Sequence, residues 1–442
     1  MDHSITPEDL RSFRRQFEAS TLSQVAARAV SKTSPEDVCY DSRSARRMTH
    51  KFSVDIPTMP ALNQKNSGRC WLFAAMNLLR EKLGKELNVE EVELSETFLY
   101  FYDHLEKANT FLEQIIETAD APLDDRFVAM RLSAPQGDGG WWEYFVGLCK
   151  KYGVCPKDAM PETRQSGNSE AMNTLLNMQL RRDALQLRKL AAAGSTALQQ
   201  EKKKMLERVY NLLAIFLGDP PEVFDFEYVD RENRYHADRG LTPGDFYDKY
   251  LGVDLDSIVS ILNAPVEAIP YYRTYYTAGE ESICGAYRAV RLNLPMEEFK
   301  AAVIRQLQAG ELVWFVCDCD YYGSLSEGIW DTALYDFETP FGLDLSMDKG
   351  ELLEYRQCSL NHAMVLTGVN LDENGQPTRW KIENSWGDER GKKGYYVCSD
   401  TWFDEYVFQA AIEKEYLGDA AKLCEQEPIV LEPWDPMGTL AD

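Results

Sequence analysis

Cys70 and His362 are the two residues of this chain best placed for nucleophilic chemistry. Cys70 follows the polar, turn-rich stretch 58–67 and opens an apolar run, Trp71 to Leu83, that reads as a helix. First-turn N–H groups and the helix dipole stabilise an anion at such a junction, which biases a thiol towards thiolate. A neighbouring imidazolium can lower a thiol pKa from about 8.5 to about 3–4, giving a nucleophile that is ionised at neutral pH. Of the five histidines, His3 lies at the terminus, His50 in a basic loop with Arg46 and Arg47, His104 on the polar side of an amphipathic helix and His236 in a charge-dense stretch. His362 alone precedes an apolar, strand-like run, where an imidazole is partly desolvated. Position alone leaves blander readings open. A helix-starting cysteine packs as a small hydrophobe, a lone histidine serves as a bonded structural residue, Gln64 is a surface amide and Asn384 a turn residue.

The elements that must position these groups are visible as periodicity. Leu72, Ala75, Met76 and Leu79 recur on one helical face behind Cys70. A second helix is expected from Ser95 to Thr118, then a glycine-rich loop from Pro135 to Gly140 and a helix start at Trp141. The segments 172–193 and 197–217 read as a helical hairpin inserted into something else, ended by Asp219-Pro220-Pro221 because proline cannot continue a helix. A weak helical signal covers 7–29, and another helix is expected over 296–309. Strands are expected at 312–317, 362–369, 380–383 and 395–398, separated by turns such as Asn374-Gly375. Short strands with glycine-containing turns imply an antiparallel sheet or barrel in the C-terminal third.

Composition narrows the function classes. A chain of 442 residues with 44% hydrophobic residues can build a large core, at roughly 150 residues per domain about three folding units or one elaborated domain. A net charge of −25 disfavours binding to phosphate backbones, so nucleic acid is not an expected partner. No run approaches the roughly 20 apolar residues needed to cross a bilayer, so no membrane association is expected. Asp2, Glu8, Asp9, Arg11, Arg14 and Arg15 interrupt any signal-peptide core, which makes the cytoplasm the expected compartment. The ten cysteines include no Cys-x-x-Cys and read as thiols, most of them buried. No cofactor and no metal is expected.

The string Gln64-Lys65-Asn66-Ser67-Gly68-Arg69-Cys70-Trp71 resembles the active-site segment of papain-like cysteine peptidases. The partner segments follow in the right order, Asn361-His362-Ala363 and then Asn384-Ser385-Trp386-Gly387. Papain-like chains place the histidine much nearer the cysteine. The long separation here requires a large insertion, and the helical stretch at 171–217 supplies part of it. That arrangement resembles the bleomycin hydrolase/aminopeptidase C family. Further agreement comes from Asp138-Gly139-Gly140, Met160-Pro161-Glu162-Thr163, Phe224-Asp225-Phe226-Glu227-Tyr228 and Trp434-Asp435-Pro436-Met437-Gly438, so the similarity spans almost the whole chain.

The resemblance implies an α+β, papain-like two-lobed core with a helical lobe, an antiparallel sheet or barrel lobe and a large helical and hook insertion. The division it implies is an N-terminal arm and helical lobe over 1–170, the insertion over 171–284, the β-rich lobe over 285–425 and a C-terminal arm over 426–442. It also implies a thiol aminopeptidase, acting on peptides with a free N-terminus and in some members on bleomycin-like amides, assembled as a homohexamer. In that chemistry Cys70 attacks the carbonyl carbon and forms a thioester. Gln64 and the Cys70 backbone N–H supply the oxyanion hole, where a lost donor costs about 3 kcal/mol. His362 transfers the protons, Asn384 orients its ring and Trp386 shelters that bond. Asp138, Gly139 and Gly140 are expected to contact substrate.

Pro433 and Pro436 discourage helix, so Trp434 to Asp442 is expected to be an extended tail reaching roughly 30 Å. By the resemblance it enters the cleft, where the carboxylate of Ala441 or Asp442 binds the substrate's amine. Departures from the family pattern are Val316 in place of glycine, the extra thiol of Cys317-Asp318-Cys319, Glu96 in place of glutamine, and Asp442 after the usual Leu-Ala end. Two readings compete with the aminopeptidase: an acyl transferase that passes the thioester to an amine, and a non-catalytic metal-binding or scaffold protein.

Overall fold

A computed structural model describes residues 3–285 and 288–438 of the chain. The helix Cys70–Leu87 lies at its centre. It is longer than the sequence pattern indicates and is buried on nearly every side, since Trp71, Phe73 and Ala74 are covered as well as the stripe of Leu72, Ala75, Met76 and Leu79. Asn88, in the left-handed conformation (φ 53°), ends it by donating its N–H to Gly84 and Lys85 carbonyls. The helix Glu96–Glu117 begins where the Ser95 side chain accepts from the Phe98 N–H, and Trp142–Tyr152 completes this helical lobe.

The expected hairpin is present as Glu170–Ala192 and Leu198–Leu217. Leu176, Leu180 and Leu187 from one helix and Met205, Val209 and Leu213 from the other are fully buried, and both helices pack on Glu96–Glu117. At the N-terminus the single helical signal over 7–29 is two helices, Pro7–Ala19 and Thr21–Val30. Ser20 breaks it by turning extended and capping the second helix through the Ser23 N–H.

His362–Leu371 is an inner strand of the main sheet, antiparallel to Val313–Cys317 on one side and to Pro377–Glu383 on the other. His362 pairs with Cys317, and Val365 with Glu383. Two expectations are corrected here. The sheet is mixed rather than wholly antiparallel, because Tyr395–Ser399 runs parallel to Ile329–Trp330 and Ile258–Leu262 parallel to Arg291–Asn293. Long crossovers between those strands allow this. The sheet also begins well before residue 285. Ile258–Leu262 and Thr274–Thr277, inside the segment 171–284, bond into it, whereas Phe224–Val229 and Tyr235–Leu241 form a separate hairpin.

The C-terminal arm is tied down along its described length. Ile429–Leu431 pairs with Thr274–Thr277, Trp434 lies 3.8 Å under the Arg126 guanidinium, and Pro436–Gly438 is a helical turn with Met437 buried. The expected extended conformation from Trp434 therefore does not hold for residues 434–438: the ring contact and the buried methionine bind the arm to the body. Ala441 and Asp442 lie outside the described residues.

Candidate active site

The helix Cys70–Leu87 opens on the candidate thiol, and its N-cap residue Arg69 makes no side-chain cap. The N–H groups of Cys70 and Trp71 bond the sulfur, while those of Leu72 and Phe73 donate to the Arg69 carbonyl at 3.0 Å. Arg69 instead turns inward and is fully buried, in a paired bond to Glu162 (Nη1 3.0 Å, Nη2 2.8 Å). Burial pushes the Glu162 carboxyl up, but the Arg69 bonds outweigh it and hold Glu162 down at about 2. The Trp314 indole donates to the Trp71 carbonyl at 3.0 Å, fixing the helix start against the sheet that carries His362.

Asp138 anchors the loop in front of the helix. Its carboxylate accepts from the Gly68 N–H at 2.8 Å, from Tyr100 at 2.6 Å, and from Ser169 and Asn173. Its own carbonyl takes the Trp71 indole N–H at 2.8 Å. Only glycine fits at 68 and 140, since a Cβ would meet the Asp138 Cβ at 2.7 Å and the Trp71 ring at 2.4 Å. Burial raises the Asp138 carboxyl, and the His104 ring 3.5 Å away together with hydrogen bonds from Ser169 and Tyr100 overcomes this and holds it well below the usual carboxylate range. His104, expected on a polar helix face, is fully buried, with Nδ1 3.0 Å from Gln136 and the ring against Tyr100. The helix Glu96–Glu117 is covered on its polar side too, which a one-helix pattern does not register.

Gln64, Cys70, Gly139, Gly140, His362 and Trp386 line one cleft of about 320 Å³. Gln64 is clamped into it: Nε2 donates to the Ser67 carbonyl at 2.6 Å, and Oε1 accepts from Ser385 Oγ at 2.5 Å. The Gln64 N–H also donates to the Ser385 carbonyl at 2.8 Å, stitching the loop before Cys70 to the turn after Asn384. His362 Nε2 lies 2.9 Å from Asn384 Oδ1, and the Trp386 ring stacks on the imidazole at 4.6 Å between centroids. Asn384 is only 1% exposed and stands behind the ring. With Nε2 donating to Asn384, Nδ1 is the free ring acceptor.

Two placements differ from the sequence reading. The Asp138 carboxylate does not face the cleft; its oxygens are spent on holding the loop and helix together, while the neighbouring Gly139 and Gly140 form cleft wall. The thiol is also not depressed by its surroundings alone. Burial pushes Cys70 up to about 11, against N–H bonds from Ala363, Trp71 and Cys70 itself, and burial pulls His362 down to about 4. Each shift is the desolvation cost of charging one group singly. Val316 and Cys319 line the cleft, whereas Glu96 lies inside the helical lobe bonded to Lys157 at 2.6 Å. Among the described residues no group of three or more His, Cys, Asp or Glu side chains is arranged to hold a metal ion.

Sequence reasoning passes over Tyr100, Ser169 and Asn173, which hold Asp138, and the buried group of Asn77, Arg80 and Glu383 behind Asn384. No spacing rule links such distant positions.

Comparison with known proteins shows the family. The Peptidase C1-like family matches residues 4–438. Aminopeptidase C of Streptococcus thermophilus is 45% identical over 393 residues, covering 88% of each chain. Aminopeptidase C of Listeria monocytogenes is 42% identical over 442 residues, the full length of both. The chain belongs to the bleomycin hydrolase/aminopeptidase C family. A crystal structure of PepW from Lactobacillus rhamnosis superimposes with a TM-score of 0.97 at 43% identity, over all of both chains. The fold of this family member is papain-like α+β. No helix of the described residues is long and apolar enough to cross a membrane.

Proposed function

We propose that this family member is a thiol aminopeptidase in which Cys70 is the nucleophile and His362 the proton carrier. The observation that carries the reading is the single cleft shared by Cys70, His362 and Gln64, with Asn384 bonded behind the imidazole. The His362 nitrogen that faces away from Asn384 accepts the thiol proton as sulfur attacks the peptide carbonyl. The Gln64 amide and the Cys70 N–H receive the developing oxyanion. His362 then protonates the departing amine, and after water attacks the thioester it returns the proton to sulfur. Gly139 and Gly140 offer backbone to the substrate chain.

Restriction to a free N-terminus is assigned to the C-terminal arm. Gly438, the last described residue, and Gly139 of the cleft wall line one cavity of about 220 Å³. Four further residues starting from Gly438 span at most about 14 Å, and a terminal carboxylate at Ala441 or Asp442 pairs with the substrate ammonium. A homohexameric assembly, action in the cytoplasm and hydrolysis of bleomycin-like amides belong to the same reading, supported by family membership. Mass spectrometry of products from peptides with free and acetylated N-termini tests it. Stepwise loss of N-terminal residues from free peptides alone is expected; equal cleavage of both sets would contradict it.

A further inference from the structure

The amide of Asn384 has two ends, and the reaction uses one. Oδ1 accepts from His362 Nε2 at 2.9 Å and from the Ser385 N–H at 2.8 Å. Nδ2 is buried and has no hydrogen-bond partner among the described residues. A buried donor in that state bears its full desolvation cost, which native interiors rarely leave uncompensated. Asn77 presents the complementary defect. It is 4% exposed, and its Oδ1 is a buried acceptor equally without a partner.

Both residues line one small cavity, together with Glu383 and Phe73, whose volume is about 10 Å³. That is about the space one water occupies between polar groups. A water there would accept from Asn384 Nδ2 and donate to Asn77 Oδ1, satisfying both atoms. Asn77 is itself held. It bonds to the Glu383 carboxylate, which Thr58 and Arg80 also approach, with Arg80 Nη2 3.7 Å away. Asn77 sits about two turns beyond Cys70 on the same helix, so it shares the face that carries the sulfur.

We propose that Asn77 is a positioning residue for the reaction, fixing the Asn384 amide through one bridging water; this rests on the roles given above to His362 and Asn384. The orientation matters because the amide is two-faced. With Oδ1 towards the ring, Nε2 carries the proton and Nδ1 is free to take one from Cys70. Turned by half a rotation, the amide would donate to Nε2, Nδ1 would carry the proton, and the imidazole could not accept the thiol proton. The Ser385 N–H secures the oxygen end, and Asn77 secures the nitrogen end.

The test is a double-mutant cycle with a structural readout. Asn77→Leu keeps the volume and removes the acceptor; kcat is expected to fall on the order of tenfold with KM within about twofold, as for other outer partners of a catalytic group. Asn77→Ser, which keeps an oxygen, should recover part of the loss. In an Asn384→Ala background, Asn77→Leu should change kcat less than about twofold, because the amide it holds is gone. A packing defect would lower kcat in both backgrounds. An unchanged kcat in Asn77→Leu, or an undiminished loss in the Asn384→Ala background, overturns the proposal. So does a high-resolution crystal structure of the parent protein with no water within hydrogen-bond reach of both amides, whether or not the variants fold. Failure of the underlying reading looks different: the parent would not cleave peptides, or His362→Ala would be fully active.

Discussion

His362 Nε2 and Asn384 Oδ1 are joined at 2.9 Å, with His362 but not Asn384 lining the cleft; in the proposed roles this bond orients the ring and leaves the other nitrogen for chemistry. His362→Ala is expected to lower kcat by about 10²–10⁴, the usual worth of a positioned acid–base group. Asn384→Ala should cost less, on the order of tenfold, since Trp386 stacking also holds the ring. Steady-state kinetics on a short peptide decides this, and equal losses would contradict the division of roles.

Asp138 links the loop before Cys70 to the helical lobe, and Asp138→Ala should act on stability as well as rate. Removing the acceptor of four donors, two of them on the buried Tyr100 and Ser169, is expected to destabilise by about 3 kcal/mol in chemical denaturation. The sign with pH follows from its lowered pKa. The contribution is fully present above about 3.9, the unfolded value, and is lost as pH falls below it. The parent should therefore lose stability on acidification below that point more steeply than the variant; parallel curves would show that the carboxylate carries no such linkage.

Burial that pulls His362 from 6.5 to about 4 makes a second pH prediction, read most cleanly in Cys70→Ala protein. Between those values the unfolded imidazole binds a proton that the folded one does not. The stabilisation is complete above 6.5 and is lost as pH falls towards 4, at up to about 1.4 kcal/mol per pH unit. Adding His362→Gln should flatten the slope in that window by about one proton. An unaltered slope would mean that the ring is not desolvated.

Deleting Ala441 and Asp442 is expected to shift cleavage from single N-terminal residues towards internal bonds, and acetylated peptides should become substrates. Product mapping by mass spectrometry checks this. Unchanged products would show that the arm does not limit the cleft.

What the sequence reveals and what it hides divide along physical lines. The helix behind Cys70, the strand starting at His362 and the helical hairpin are legible because apolar periodicity is local. The Cys70, His362 and Asn384 segments are legible as a resemblance in short strings. Asp138 shows the limit: its string can be read, yet whether its carboxylate faces the cleft or the Gly68 N–H depends on Tyr100, Ser169 and Asn173 arriving from other elements. Likewise Ile258–Leu262 looks like part of an insertion until its pairing with Val407–Glu413 is known. Pairing between distant strands leaves no periodic mark.

The most direct test of the Cys70–His362 assignment is the pH dependence of Cys70 alkylation by iodoacetamide, followed by mass spectrometry at that residue, in parent and His362→Gln protein. If the imidazole takes the proton from the sulfur, the parent should react readily near pH 7, while the variant should react on the order of 100-fold more slowly there and recover only as pH climbs towards about 11, where burial, set against the N–H bonds, places the thiol. Identical profiles in the two proteins would mean that His362 does not govern the nucleophile.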